Sequence, residues 1–155
     1  MNADQTLNST QQERARWMSI LAKAPAAELA ASVQQFGELP AYLWLRKPET
    51  GLAMVRARTG GSGSQFNLGE MSVTRCALRL ATGETGVAYV AGRDQRHAEW
   101  AAIFDALMQG EHGPAVETNI IKPLEALLQQ KREQLQAEAQ ATRVEFMTMV
   151  RGEDA

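Results

Sequence analysis

Residues 85–110, TGVAYVAGRDQRHAEWAAIFDALMQG, restrict the possible folds of this chain more than any other stretch. They read as a short buried strand from Val87 to Ala91, a turn at Gly92, and a helix capped by Asp94. On a helical period Trp100, Ile103, Phe104, Leu107 and Met108 fall on one stripe, the spacing of a core-facing helix. The opposite face is not charged. It holds Ala98, Ala101, Ala102 and Ala106, with Asp105 the only charge after Glu99. A helix that is apolar or small nearly all round is covered on both sides. In a chain of 155 residues the second cover is expected to be another subunit, which makes these four alanines candidate interface positions. Arg93, Arg96 and His97 stand at the head of the bulky stripe, where a helix N-terminus favours anions. The stretch therefore predicts a packed interface and an anion-facing corner.

The length predicts one domain with a real core. A net charge of −2 argues against bulk binding of nucleic acid, yet the charge is unevenly spread. Residues 56–96 hold six arginines against three acids, a local +3, whereas residues 110–155 hold eight acids against five bases. The middle suits an anion and the end suits water or a basic partner. The single cysteine, Cys76, excludes an internal disulfide and fits a reducing compartment. The beginning is polar, and no run reaches membrane-spanning length, so the expected location is the cytoplasm, away from membranes.

In chain order, residues 1–8 read as a frayed end. Thr10 and Glu13 make a capping box for a first helix with Trp17, Ile20, Leu21 and Ala24 on its stripe. Pro25 suits the first turn of a second helix carrying Leu29, Val33 and Phe36 and ending at Gly37, which gives a helical hairpin. Tyr42 to Leu45 leads into Pro48-Glu49-Thr50-Gly51, read as a turn, and Leu52 to Thr59 alternates as a second strand. A loop with Gly60, Gly61 and Gly63 follows, then a strand from Met71 to Leu80 and the strand at Val87. The fold class predicted is α+β: an N-terminal helical hairpin, a four-stranded antiparallel meander sheet, then C-terminal helices. Pro123 is read as starting a new helix with Leu124, Leu127, Leu128 and Leu135 on a narrow stripe. Residues 141–155 read as a docking tail in which Phe146 and Val150 are candidate interface residues, with helix and strand both open for 144–150.

Catalytic equipment is sparse. His97-Ala98-Glu99 imitates the His-x-Glu of zinc deaminases, but these need a later pair of cysteines, and two histidines with one cysteine do not close a zinc site. Arg58 with Gly60, Gly61 and Gly63 could cradle a phosphate, though no Gly-Lys-Ser/Thr closes a Walker A loop. The alternative is a plain flexible connection. Arg56 with Arg58, and Arg75 with Arg79, each share a sheet face, either a solvated face or a surface for a polyphosphate or an acidic neighbour. No nucleophile–base set, carboxylate pair or metal site is evident, so no residue is assigned a catalytic or metal-binding role.

Several segments in order are similar to one family. They are Glu49-Thr50-Gly51-Leu52, Ala57-Arg58-Thr59-Gly60-Gly61-Ser62-Gly63 with Phe66 and Gly69, and Thr74-Arg75-Cys76-Ala77-Leu78-Arg79-Leu80. Gly92-Arg93-Asp94 with His97-Ala98-Glu99, Asp105 to Gln109, and Ala141 to Phe146 through Thr148 to Gly152 complete the set. Together they resemble the PhnG family, a component of the bacterial carbon–phosphorus lyase core complex. The resemblance implies phosphonate catabolism. A PhnG chain would act with partners of the H, I and L types to move the ribose triphosphate of MgATP onto an alkylphosphonate as adenine leaves. The full set of partners implied is of the I, J, H and L types, with homo-contacts within a two-fold hetero-oligomer. MgATP would be a substrate of the complex, with no cofactor held by this chain alone; a radical subunit's iron–sulfur cluster needs cysteines this chain lacks. A scaffold role, or a stand-alone phosphate-ligand protein, remains the alternative.

Overall fold

The computed structural model describes residues 3–141, so Phe146 and Val150 lie outside the described residues. Helix α1 (Ala3–Lys23) begins ahead of the expected capping box, leaving Thr10 and Glu13 inside it. Its stripe is as expected: Trp17, Ile20 and Leu21 are buried, with Ala24 just beyond. Helix α2 (Ala26–Phe36) is preceded by Pro25, whose missing N–H costs nothing at a helix start. It ends at Gly37, where φ is +90°, a backbone region glycine enters without strain.

The sheet corrects the four-strand expectation. Among the described residues it has three antiparallel strands, β1 (Tyr42–Arg58), β2 (Gln65–Leu80) and β3 (Thr85–Ala91), in the order β1-β2-β3. The residues read as a turn, Pro48 to Gly51, lie inside a single 17-residue strand. Extra residues on β1 are absorbed by register shifts between Trp44 and Arg46 and between Arg46 and Glu49. Pro48 is tolerated because β1 is an edge strand, where a missing N–H need not break a ladder bond. Glu49 holds the segment extended by pairing with Arg75 on β2, Oε1 to Nη2 at 2.8 Å, and with Arg46 on its own strand. Turn chemistry was present in the sequence and cross-strand pairing overrode it.

Helix α3 (Gln95–Met108) packs on β2 and β3 and is overlaid by α1 and α2. The chain supplies both covers itself. Ala98, Ala101, Ala102 and Ala106 are at most 3% exposed within the single chain, which corrects the expectation that they face another subunit. Their smallness serves close approach to the sheet. A Cβ placed on Gly86 of β3 would stand 1.8 Å from the Ala102 carbonyl oxygen and 3.0 Å from the Ala106 Cβ. On the bulky stripe Ile103, Phe104 and Leu107 are buried, with Phe104 edge-on to Phe36 of α2.

Beyond a short helix α4 (Gly113–Val116) the chain makes a π-helical turn at Glu117–Ile121 and continues as α5 (Lys122–Ala141). Pro123 therefore does not start a separate helix. It follows a wide turn in which Lys122 N–H bonds the Glu117 carbonyl, so the regular ladder is already interrupted there. Leu124 is buried, while Leu135, placed on the same stripe by its spacing, is exposed. Arg16 of α1 clamps this end of the chain through Glu117 at 2.6 Å and Glu125 at 2.8 Å. No helix among the described residues is long and apolar enough to cross a membrane.

Candidate functional site

The corner at the head of α3 is built by three segments. After β3 the chain reverses at Gly92, φ +95°, whose N–H bonds the Ser72 carbonyl at 2.8 Å. Thr74 Oγ1 donates to the Gly92 carbonyl at 2.8 Å and lies 3.0 Å from Thr50 Oγ1, so β1 and β2 both hold the corner. Asp94 caps the helix, its Oδ1 accepting from His97 N–H at 2.9 Å. Arg93 and Arg96 are exposed there, and the Arg96 guanidinium sits 5.5 Å above the Trp100 ring, a stacking that orients its charge. His97 belongs elsewhere. Its ring is buried, with Nε2 2.8 Å from the Leu21 carbonyl; a carbonyl only accepts, so Nε2 carries the proton and ties α3 to α1.

The glycine loop is the tip of the β1–β2 hairpin. Gly60 and Gly61 adopt φ of +59° and +82°, and Gly63 N–H bonds the Thr59 carbonyl at 2.8 Å. A Cβ on Gly63 would come within 2.6 Å of that carbonyl, so glycine is required by the turn itself. Arg58 folds over the loop, Nη1 donating to the Gly63 carbonyl at 3.3 Å. Arg58 and Arg93 do not converge in one chain. The loop adjoins Gln65 while Arg93 follows Gly92, bonded at Ser72, and seven residues of strand separate the two levels. At ~3.3 Å per residue that is roughly 23 Å.

A buried polar hub went unread in the sequence. Asp105, fully buried on α3, accepts from Arg14 Nη2 at 2.8 Å, Trp17 Nε1 at 2.8 Å and Val87 N–H at 2.9 Å. It joins α1, β3 and α3 through one carboxylate. The available signal was its position as a lone acid on a face of small residues. A second contact, the Tyr42 hydroxyl donating to Glu99, joins β1 to α3. Burial, and then this bond to Glu99, push the Tyr42 hydroxyl up to about 12. Burial, with the Glu99 charge adding to it, pushes the nearby Cys76 thiol to about 12, and its Sγ donates to the Ala98 carbonyl. Such a thiol is an inert core group rather than a nucleophile.

Among the described residues no group of three or more His, Cys, Asp or Glu is placed to hold a metal ion. The chemistry on offer is recognition: exposed guanidinium groups at two separate places, each suited to phosphate or carboxylate.

Comparison with known proteins agrees with the order of segments. Residues 12–152 match the family described as "Phosphonate metabolism protein PhnG". A curated relative from Rhizobium meliloti (strain 1021), "Alpha-D-ribose 1-methylphosphonate 5-triphosphate synthase subunit PhnG", is 43% identical over 143 residues, 92% of this chain and 91% of its own length. The match takes in all of the described chain beyond the first half of α1, and the chain belongs to the PhnG family of phosphonate metabolism proteins.

Proposed function

We propose that this chain is a non-radical subunit of a ribose 1-alkylphosphonate 5-triphosphate synthase in a carbon–phosphorus lyase system. The observation that carries the reading is the 43% identity to a synthase subunit across 92% of the chain. Acting in the cytoplasm with partners of the H, I and L types, the complex moves the ribose triphosphate of MgATP onto an alkylphosphonate. The glycosidic carbon–nitrogen bond breaks, a carbon–oxygen bond to the phosphonate forms, and adenine leaves. Both reactants are polyanions. Arg93 and Arg96, exposed at a helix head, are the positions in this chain best suited to meet one. Arg58 with Gly60, Gly61 and Gly63 lies on a projecting hairpin tip, a place suited to an acidic partner.

The test is adenine release from MgATP and methylphosphonate, followed chromatographically. The expected outcome is release by the reconstituted set of subunits, none by the set lacking this chain, and none by this chain alone. Turnover by the isolated chain, or undiminished turnover without it, overturns the reading.

A further inference from the structure

Among the described residues, one part of the sheet is left bare. Strand β3 pairs with β2 only over Val73–Arg79. The remainder of the hairpin, with Leu52 to Arg58 on β1 and Gln65 to Ser72 on β2, runs on as a two-stranded arm. Its apolar groups point both ways, because opposed residues share a side and successive ones alternate. Thr50 opposes the buried Thr74, so Leu52 and Met54 continue the side that the helices cover further down. Met71, opposite Ala53, and Phe66, opposite Ala57, project from the other side. Leu52 is 68% exposed and Leu68, at the register shift, 64%.

A two-stranded ribbon is marginal in water without support. Packing against one flat surface would leave half of this one uncovered, so the arm needs walls on both sides. Its charge adds direction. Arg56 and Arg58 near the tip outnumber the one acid of the arm, Glu70.

We infer that the arm is an assembly element that inserts into an apolar cleft, rimmed by carboxylates, on a different polypeptide of the synthase. The inference rests on the reading of this chain as a synthase subunit. Two observations favour a different chain over a second copy. Two arms laid together would oppose like net charges. Clefts on this chain, such as the one of about 680 Å³ beside Trp17, Met108 and Glu117, have the size of a small-ligand pocket rather than of a ribbon.

The experiment uses the full chain co-expressed with the other synthase subunits and purified through a tag on one of them. Met54→Glu and Phe66→Glu place a charge on each side of the arm. Both positions are exposed in the free chain, so its circular dichroism and unfolding midpoint should not move. Each variant is expected to lower the chain recovered in the complex by about tenfold or more. In the wild type, amide exchange over residues 52–58 and 65–72 is expected to slow on assembly. Should the glutamate variants unfold the free chain, Met54→Ser and Phe66→Ser with the exchange measurement decide. Wild-type recovery of the double variant, or an arm still freely exchanging inside an active complex, overturns the inference and leaves the synthase reading standing. Protection of the arm that grows with concentration in the isolated chain assigns it to a second copy and also overturns it. A wild-type chain that joins no other subunit removes both readings.

Discussion

Asp105 shows at the scale of one residue how an α+β core can be tied together by a single charge. Its carboxylate satisfies donors from Arg14, Trp17 and Val87, the first two 91 and 88 positions away in sequence. Truncating it leaves the Trp17 and Val87 donors buried without partners and the Arg14 guanidinium without its counter-ion. Asp105→Ala is therefore expected to destabilise the chain by about 2–5 kcal/mol, mainly the cost of leaving two buried donors unsatisfied. Chemical denaturation of the free chain checks this, and a loss under about 1 kcal/mol would demote the hub to a surface-like contact. The sequence revealed Asp105 as an anomaly on a small-residue helix but could not reveal its partners. Helical periodicity reports which face a residue occupies, and nothing in it says what lies opposite.

The same limit operates on whole elements. That α3 is covered on both sides was legible, because small and apolar residues surround it. Which chain provides the cover was not, since alanines are equally suited to a sheet of the same molecule or to a neighbour. Gly86 is the discriminating residue, but it stands beside turn residues in the sequence, and only the structure places it inside β3 against the alanine face. Gly86→Ala is expected to cost about 1–3 kcal/mol or more, because the added carbon meets the Ala102 backbone rather than a movable side chain. A lowered unfolding midpoint measures it, and an unchanged midpoint would mean that α3 lifts from the sheet at little cost. The split of β1 into two strands failed for a related reason. Pro48 and Gly51 carry turn propensity, but the ladder to β2 and the Glu49–Arg75 pair lie outside any local window.

Over the whole molecule, Arg58 and Arg93 stand at two separate anion-facing places, the hairpin tip and the head of α3. Sequence segments told which residues were basic, and only the register of β1 on β2 placed the glycine loop at the far end of a hairpin. In the assembled synthase Arg93→Ala is expected to weaken phosphonate or MgATP binding by about 1.5–3 kcal/mol, with assembly intact. Arg58→Ala is expected to lower assembly instead. Groups this far apart should act independently, so the double variant should equal the sum to within about 0.5 kcal/mol. Parallel assays of assembly and transfer in the three variants give the coupling. A larger coupling would show that the two arginines meet between copies.

The bare arm and the outer edge of β1 also bear on supply. Strand edges with unpaired backbone groups and adjacent apolar side chains recruit further strands, and a ribbon free on both sides offers no barrier to it. A cell that makes this polypeptide faster than whatever covers it accumulates a template for aggregation. Matched dosage, through joint synthesis or rapid removal of the surplus, follows from the shape of one hairpin.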